Sequence, residues 1–289
     1  MGPLKISTEI DSIALITGEE KAVEYVAKAG FDAWDFTMNR MCRYVWKTGE
    51  IFKDHILSGK DYLPFVRRLR RVAEDNGIVC NQSHAPFPIN EPEIRDYCKR
   101  AIECTAEVGG EICVIHPDSL VSVEENAAFY HELLPFAKSC RVKIATENMF
   151  LWNRDKDCAA PAACSDPAGF LKQLQAVNDD HFVACLDIGH AELNGLGTSA
   201  VEMIRALGPY LQCLHIHDND KCRDRHQIPF SMNIDFDGVV KALKECGYKG
   251  YLTLEAGNFL KEYNEETVLD GVRQMAAAAR RLSDMLDAC

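Results

Sequence analysis

Short apolar segments alternate along the chain with longer segments whose apolar residues recur at helical spacing. Residues 4–9 alternate between apolar and polar side chains, as a strand does, and residues 20–29 carry an apolar face with the period of a helix. Gly30 follows as the expected C-terminal cap of that helix, and an apolar segment over residues 31–36 predicts the next strand. The pattern therefore predicts a repeating unit of one strand followed by one helix.

This unit recurs eight times. The predicted strands are residues 4–9, 31–36, 78–84, 112–116, 143–147, 182–187, 211–217 and 251–255. The predicted helices are residues 20–29, 61–75, 93–108, 123–139, 168–177, 199–207, 236–246 and 265–286. Strands that alternate with amphipathic helices pair in parallel, and eight units without a linker predict a single α/β domain over residues 1–289, a (β/α)8 TIM barrel. A doubly wound sheet would need a Gly-x-Gly-x-x-Gly turn after the first strand, and residues 9–12 do not supply it.

The charge of the chain narrows the choice of partners. It has 32 Lys and Arg against 44 Asp and Glu, a net charge of −12, and such a field repels nucleic acid and anionic membranes. We therefore expect a small-molecule substrate, with neither a nucleic-acid nor a membrane partner. The N-terminal residues lack the basic and apolar regions of a signal peptide, and no apolar segment approaches the length of a membrane span, so we expect a cytoplasmic protein. The thirteen cysteines are odd in number and include no Cys-x-x-Cys pair, which disfavours a disulfide framework.

Histidines and carboxylates stand where the predicted strands end. In a barrel these ends meet at one mouth, which is where active sites of such barrels lie. Asp187, for example, is the first charged residue after the apolar segment 182–186, and His190 follows three residues later. The residues of this kind at the strand ends and in the loop after strand seven are His84, His116, Glu147, Asp187, His190, His215, His217, Asp224, His226 and Glu255.

Imidazoles and carboxylates crowded in this way would repel and dehydrate one another without cations between them, so the set predicts a metal site. The set contains no thiolate, and its oxygen and nitrogen donors suit Mn²⁺, Mg²⁺, Co²⁺ or Zn²⁺. His215 and His217 are two residues apart on a strand, so both side chains point into the barrel. We expect one of them to bind metal and the other to bind substrate.

With these residues the chain resembles the xylose isomerase-like TIM barrels, a superfamily of sugar isomerases, sugar epimerases and abasic-site nucleases of the endonuclease IV type. The likeness covers nearly the whole chain. In the single-metal epimerases of the superfamily a Glu, an Asp, a His and a second Glu hold the ion, and the resemblance assigns these roles to Glu147, Asp187, His215 or His217, and Glu255. It also implies that the two glutamates form an acid/base pair that takes a proton from one face of the sugar and returns it to the other.

The endonuclease IV pattern, which uses three zinc ions, is also filled. The positions that resemble it are His84, His116, Glu147, Asp187, His190, His215, Asp224, His226 and Glu255. The resemblance thus leaves between one and three divalent ions open. A member that binds DNA needs basic loops around the mouth to contact phosphates, whereas the segments 18–20, 118–119, 124–125 and 153–157 are mixed or acidic.

The leading hypothesis is a divalent-metal-dependent isomerase or epimerase that acts on a sugar, a sugar phosphate or a related polyol. A multinuclear zinc phosphoesterase is the first alternative, and a non-catalytic binding barrel is the second. The candidate substrate-binding side chains are Trp34, Phe87 and Trp152 for the apolar face of a sugar, His217, and Arg223 or Lys221 for a phosphate or hydroxyl group. The closing helix, with small residues at 276–279, makes a homo-oligomer a further expectation.

Overall fold

The computed structural model describes residues 3–289 as twelve strands and eleven α-helices. The strands are β1 (Ile6–Thr8), β2 (Ala33–Thr37), β3 (Arg43–Val45), β4 (Glu50–Phe52), β5 (Val79–His84), β6 (Ile112–Val114), β7 (Lys143–Glu147), β8 (Phe150–Asn153), β9 (Cys158–Pro161), β10 (Phe182–Asp187), β11 (Leu211–His215) and β12 (Leu252–Leu254). The helices are α1 (Asp11–Thr17), α2 (Glu19–Ala29), α3 (Tyr62–Asp75), α4 (Pro92–Arg95), α5 (Cys98–Val108), α6 (Val123–Ser139), α7 (Pro167–Val177), α8 (Ile188–Ala191), α9 (Ala200–Leu207), α10 (Phe236–Glu245) and α11 (Val268–Ala288).

Eight of the strands form a closed parallel barrel. Six of them pair in the order β11-β10-β7-β6-β5-β2, and β1 pairs with β12, all in parallel. Single parallel bridges join Glu9 to Asp35 and Ile216 to Leu254, which connects the two groups of strands at both edges. The predicted TIM barrel is confirmed, and the carboxyl ends of all eight strands meet at one mouth.

The helices around the barrel begin and end where the sequence supplies caps. Ser122 accepts a hydrogen bond from the backbone N–H of Glu125, and the Glu125 side chain accepts one from the Ser122 N–H, so a complete capping box begins α6. Gly30, at φ +97°, ends α2 in the left-handed conformation that glycine adopts without strain. Each of these caps lets the chain turn directly into or out of the barrel wall.

Two β-hairpins and two short helices were not predicted. The hairpin β3–β4 follows β2, the hairpin β8–β9 follows β7, α1 follows β1, and α8 follows β10. Each lies directly after the carboxyl end of a barrel strand, so these insertions build the rim of the mouth. The regular part of strand seven ends at His215, two residues earlier than predicted, although His217 remains fully buried.

The interior of the barrel changes character from one end to the other. Small apolar side chains fill its middle, and they are Val114, Ala145, Val183, Cys185 and Cys213. Toward the amino ends of the strands, Ser7 donates to the Asn81 side chain (2.6 Å), which in turn donates to Gln82 and to Thr253 (both 3.1 Å). The register shift between β2 and β5 leaves Asn81 as an extra residue, which is a β-bulge.

All thirteen cysteines are unpaired, in agreement with the expectation that the chain lacks a disulfide framework. Within residues 3–289, no helix combines the length and the apolar character that a membrane span requires.

Candidate functional site

Four predicted ligands from four different strands meet at the centre of the mouth. Glu147 ends β7, Asp187 ends β10, His215 ends β11, and Glu255 follows β12. Each offers one ligand atom, and the four atoms lie within 4.8 Å of one another. Opposite ligands of one divalent ion are about 4–4.5 Å apart, so one ion can reach all of these atoms. We call these residues the central quartet.

Two further groups flank the central quartet. In the first flanking triad, Nε2 of His84 lies 2.9 Å from Nε2 of His116 and 3.5 Å from Oε2 of Glu147, and the His116 to Glu147 distance is 3.2 Å. Neighbouring ligands of a zinc ion are roughly 3.4 Å apart, given bond lengths of about 2.0–2.2 Å and tetrahedral geometry. The three atoms therefore have the spacing of ligands around one ion.

The second flanking triad consists of His190, Asp224 and His226. Oδ2 of Asp224 lies 3.0 Å from Nε2 of His226 and 3.6 Å from Nε2 of His190. His217 lies against the same group, since its Nε2 is 3.3 Å from Oδ1 of Asp224 and 3.1 Å from Oδ1 of Asp187. The mouth thus holds three adjacent groups of possible ligands, and His217 lies between two of them.

Unpartnered polar atoms test whether these residues fit a metal. Oδ2 of Asp187, Oδ1 of Asp224 and Nε2 of His217 are buried and have no hydrogen-bond partner among the described residues. Nε2 of His217 approaches Oδ1 of Asp224 and Oδ1 of Asp187, but neither direction suits a hydrogen bond, and the Asp187 Oδ1 accepts from the His190 N–H instead. Buried polar atoms of this kind are costly, and a cation would satisfy them. The donor set therefore fits a divalent metal.

The histidine rings are held by backbone carbonyls on the side away from the site. Nδ1 of His84 is 2.8 Å from the Ala85 carbonyl oxygen, Nδ1 of His190 is 2.9 Å from that of Asn148, and Nδ1 of His226 is 2.7 Å from that of Glu255. Since a carbonyl only accepts, each Nδ1 carries the proton and donates it. Nε2 is then free to direct its lone pair into the mouth, as metal-ligating histidines require.

His215 is oriented differently, through a buried carboxylate that the sequence analysis did not single out. Its Nδ1 faces Oε1 of Glu147 at 3.0 Å, and its Nε2 faces Oδ2 of Asp35 at 3.3 Å. Gln82 donates to the same Asp35 oxygen at 2.9 Å and so holds the carboxylate in place from the side of the strand amino ends. A carboxylate behind a ligating histidine orients the ring and increases its basicity. The signal in the sequence was an Asp between Trp34 and Phe36, inside the predicted strand 31–36.

Without a metal ion, protonated histidines supply the positive charge that balances the carboxylates of the site. Burial opposes the charged form of Glu147, but His215 and His116 outweigh it and hold the pKa of this carboxyl well below its usual range. Burial lowers the pKa of His116 to about 4. Burial also opposes a charge on His226, yet the neighbouring Asp224 raises the pKa of His226 to about 10. The site is therefore a mixture of imidazolium and carboxylate groups with strongly displaced pKa values, as at many active sites.

Asn148 and Asp218 position the candidate ligands but are not candidate ligands themselves. Asn148 accepts from the Asp187 backbone N–H (2.8 Å) and donates to the Asp187 carbonyl (2.9 Å), which ties the end of β7 to the end of β10. Asp218 accepts from the backbone N–H groups of Met232 (2.7 Å) and Ile234 (3.0 Å) and so closes the loop that carries Asp224 and His226.

Gly189 allows His217 to occupy its place. It lies in α8, directly after β10, and a methyl group at this position would overlap the imidazole ring of His217. Glycine is thus required here by close approach rather than by backbone conformation.

A cavity of about 620 Å³ opens above these ligands. Its floor contains His116, Glu147, His190, Asp224, His226 and Glu255. Its walls are largely apolar and contain Trp46, Phe87, Pro88, Ile89, Leu120, Met149, Phe150, Leu151 and Trp152. Phe87 and Trp152 were predicted to contact substrate and do line the cavity, whereas Trp46 and Phe150 lie in the hairpins that were not predicted.

The other candidate substrate residues lie elsewhere. Trp34 is fully buried in the core, against Phe36, and offers no surface to a ligand, which corrects the expectation from the sequence. Because side chains alternate along a strand and Asp35 faces the barrel interior, Trp34 has to face the helices. Arg223 is paired with Asp157 (2.7 Å) and stacks on Trp152 behind the cavity wall. Lys221 is paired with Glu192 (2.8 Å).

Comparison with known proteins gives the family. The sequence profile described as xylose isomerase-like TIM barrel matches residues 23–282. The match covers most of the chain, so this chain belongs to that family. An uncharacterized protein of Methanocaldococcus jannaschii is similar to it, with 26% identity in an alignment of 271 residues and a coverage of 84% of each chain.

Solved structures with similar folds cover almost the whole chain. A D-tagatose 3-epimerase-like protein has a TM-score of 0.72 at 20% identity and covers 99% of both chains. An L-ribulose 3-epimerase has a TM-score of 0.69 at 17% identity, covering 99% of this chain and 95% of its own. A 3-keto-D-glucoside 4-epimerase from E. coli has a TM-score of 0.67 at 15% identity, covering 95% and 99%. At these identities the likeness establishes the fold.

Proposed function

We propose that the protein is a divalent-metal-dependent sugar isomerase or epimerase. The observation that carries the proposal is the central quartet, in which Glu147 and Glu255 stand on one ion site beside Asp187 and His215. The names of the structurally similar proteins, which are sugar epimerases, agree with it. Cys185 also lies near Glu147 and His215, but it packs among the small apolar side chains in the middle of the barrel, so we restrict the quartet to oxygen and nitrogen donors. Oxygen and nitrogen donors of this kind suit Mn²⁺, Co²⁺, Zn²⁺ or Mg²⁺.

The two glutamates supply the proton transfer. A cation bound by the central quartet would polarise a substrate carbonyl and so acidify the adjacent C–H bond. Glu147 is fully buried, and the imidazoles around it favour its ionised form, so it suits the role of base. Glu255 is about one quarter exposed and lies at the cavity floor, where it can return a proton from the other side of the substrate. When the proton is removed from one side of the carbon and returned from the opposite side, the configuration at that carbon is inverted.

Exchange with solvent tests this proposal. Purified protein loaded with Mn²⁺ or Co²⁺ is incubated in D2O with a panel of ketoses and aldoses, and deuterium incorporation is followed by NMR and mass spectrometry. We expect uptake of one deuteron at a carbon next to the carbonyl, and its loss on chelation. Absence of exchange from every sugar with every metal would contradict the proposal.

The flanking triads favour a second candidate, a multinuclear zinc phosphoesterase. Their six side chains have the spacing of two further ion sites, which an epimerase with one ion does not need. Against this candidate, no Lys or Arg of residues 3–289 lines the cavity, so a phosphodiester would meet no protein cation beyond the histidines of the floor. Three zinc ions per chain, together with chelator-sensitive phosphodiester cleavage, would favour the hydrolase; one ion per chain and no cleavage would exclude it.

A further inference from the structure

Three exposed apolar side chains surround the opening of the active-site cavity. Trp46 is 70% exposed, Leu120 is 72% exposed and Leu151 is 42% exposed, and all three line the cavity whose floor holds the metal ligands. They come from three separate segments: the β3–β4 hairpin, the loop after β6, and the β8–β9 hairpin. We call them the apolar rim. Large apolar side chains that converge on one opening mark a binding surface.

The cavity is larger than one sugar ring needs. It measures about 620 Å³, whereas a hexose packed as densely as a protein interior would fill roughly 200 Å³. The metal ligands occupy the floor, so a sugar chelated there leaves the upper part of the cavity empty. That upper part is bounded by the apolar rim together with Trp152 and Phe87.

The charges of the cavity exclude an anionic group as the second part of the ligand. The imidazoles of His116, His190 and His226 lie at the floor, among the carboxylates of Glu147, Asp224 and Glu255. Above the floor, Asp118 is the one charged side chain of residues 3–289 that lines the cavity, and no Lys or Arg among them does. The guanidinium of Arg223 stacks on the Trp152 ring, outside the lining, and is paired with Asp157. A phosphate in the upper cavity would therefore be desolvated without a countercharge.

We propose that the substrate is an uncharged sugar derivative with an apolar substituent, such as an aryl glycoside, and that the apolar rim binds this substituent. The inference rests on the proposed function, since it assumes that the sugar is the part bound at the central quartet. A glycosidic bond removes the carbonyl at the anomeric carbon, so the reacting carbonyl of such a substrate lies elsewhere on the ring. A separate dehydrogenation of a ring hydroxyl must then supply the substrate.

The test compares phenyl and methyl glycosides of the same sugars. Binding to the Mn²⁺-loaded protein is measured by calorimetry and by the fluorescence of the rim tryptophan, without any requirement for turnover. We expect each phenyl glycoside that binds to do so at least tenfold more tightly than its methyl counterpart. Trp46→Ala should remove most of this difference. Phe52→Ala, an exposed aromatic residue in the same hairpin that does not line the cavity, should leave it unchanged.

Four outcomes separate the inference from the proposed function. Equal binding of phenyl and methyl glycosides, or a preference that Trp46→Ala does not reduce, overturns the inference even where deuterium exchange supports an epimerase. Tight binding of sugar phosphates in preference to both glycosides also overturns it. A shift from oligomer to monomer in Trp46→Ala, with glycoside binding unchanged, would identify the rim as an interface between copies instead. A rim-dependent phenyl preference without exchange from any sugar or ring-keto glycoside supports the apolar subsite and refutes the epimerase.

Discussion

The two ends of the barrel interior hold polar side chains in opposite states. At the amino ends of the strands, Ser7, Asn81, Gln82 and Thr253 are neutral, and their amides and hydroxyls satisfy one another through hydrogen bonds of 2.6 to 3.2 Å. At the carboxyl ends, imidazoles and carboxylates crowd together, and several of their buried atoms have no partner. The same strands build both ends, so the difference lies in the side chains and not in the backbone.

The contrast distinguishes polar side chains that stabilise the fold from polar side chains that are available to bind a ligand. A closed neutral network needs nothing from outside, and it stabilises the barrel as it stands. The mouth has donors and acceptors that the protein itself leaves unsatisfied, so its free energy depends on a bound cation or on protons. Gln82 joins the two regions, because it accepts from Thr253 and donates to Asp35.

The largest effect is expected from removing the acid/base pair. Glu147→Gln and Glu255→Gln should each lower the rate of solvent deuterium exchange by about 10³-fold, since positioned acids and bases contribute roughly 10²–10⁴-fold. Single-turnover exchange by NMR measures the loss. Unchanged exchange in Glu255→Gln would show that this residue is a ligand only.

Metal binding at the mouth should stabilise the folded protein against unfolding. At a free Mn²⁺ concentration 100 times the dissociation constant, the free energy of unfolding should rise by about 2.7 kcal/mol, roughly 4–5 °C in Tm for a chain of this length. Calorimetry of the metal-free and loaded protein measures it. The Asp187→Asn variant is the control and should show a much smaller shift; a wild-type Tm indifferent to every divalent ion would refute a metal site.

Asp35→Asn tests the carboxylate behind His215. Loss of its charge should weaken metal binding by about 10–100-fold, as for other partners of ligating histidines. Calorimetric titration of metal into the metal-free variant measures the affinity without any assay of turnover. An affinity equal to that of the wild type would mean that Asp35 has no role in orienting the ring.

Metal affinity should rise with pH. In the metal-free protein the pKa of His226 is raised to about 10 by Asp224, so at neutral pH the ring carries a proton that an ion at the second flanking triad must displace. Each proton released should strengthen binding by up to about tenfold per pH unit below that pKa. Titrations at three pH values, in buffers of different ionisation enthalpy, count the protons; a pH-independent affinity would exclude ligation by His226.

The smallest effect is expected at the opposite end of the barrel. Thr253→Val keeps the shape of the side chain but removes hydrogen bonds to Asn81 and Gln82, so it should destabilise the protein by about 1 kcal/mol. Chemical denaturation measures this change. Metal affinity should remain that of the wild type, and a large loss of affinity would show that the two ends are coupled through Gln82.

The sequence was sufficient for the barrel because its strands and helices repeat with clear periods and caps. It also supplied the candidate ligands that meet at the mouth, since residues that end buried strands are easy to recognise in a parallel barrel. It could not predict the hairpins β3–β4 and β8–β9, whose strands of three or four residues carry no usable period.

The orientation of individual side chains was harder to predict. Trp34 was proposed as a substrate contact because of its chemistry, but strand alternation turns it outward and turns Asp35 inward. Strand alternation points His215 and His217 to the same side, so the sequence does not decide which of the two binds metal. Only the coordinates place His215 between Glu147 and Asp35, and His217 beside Asp187 and Asp224.

Gly189 has no side chain, and the geometry of the charged groups at the mouth depends on this. Because α8 touches the ring of His217 with room for a hydrogen atom only, Gly189→Ala cannot be accommodated unless the ring tilts or the helical turn retreats. Either movement would carry Asp187 and His217 apart, since the turn is capped by Asp187 itself. A single added carbon at a position outside the candidate ligands would thus be transmitted as a misalignment of the side chains that we propose to hold the metal.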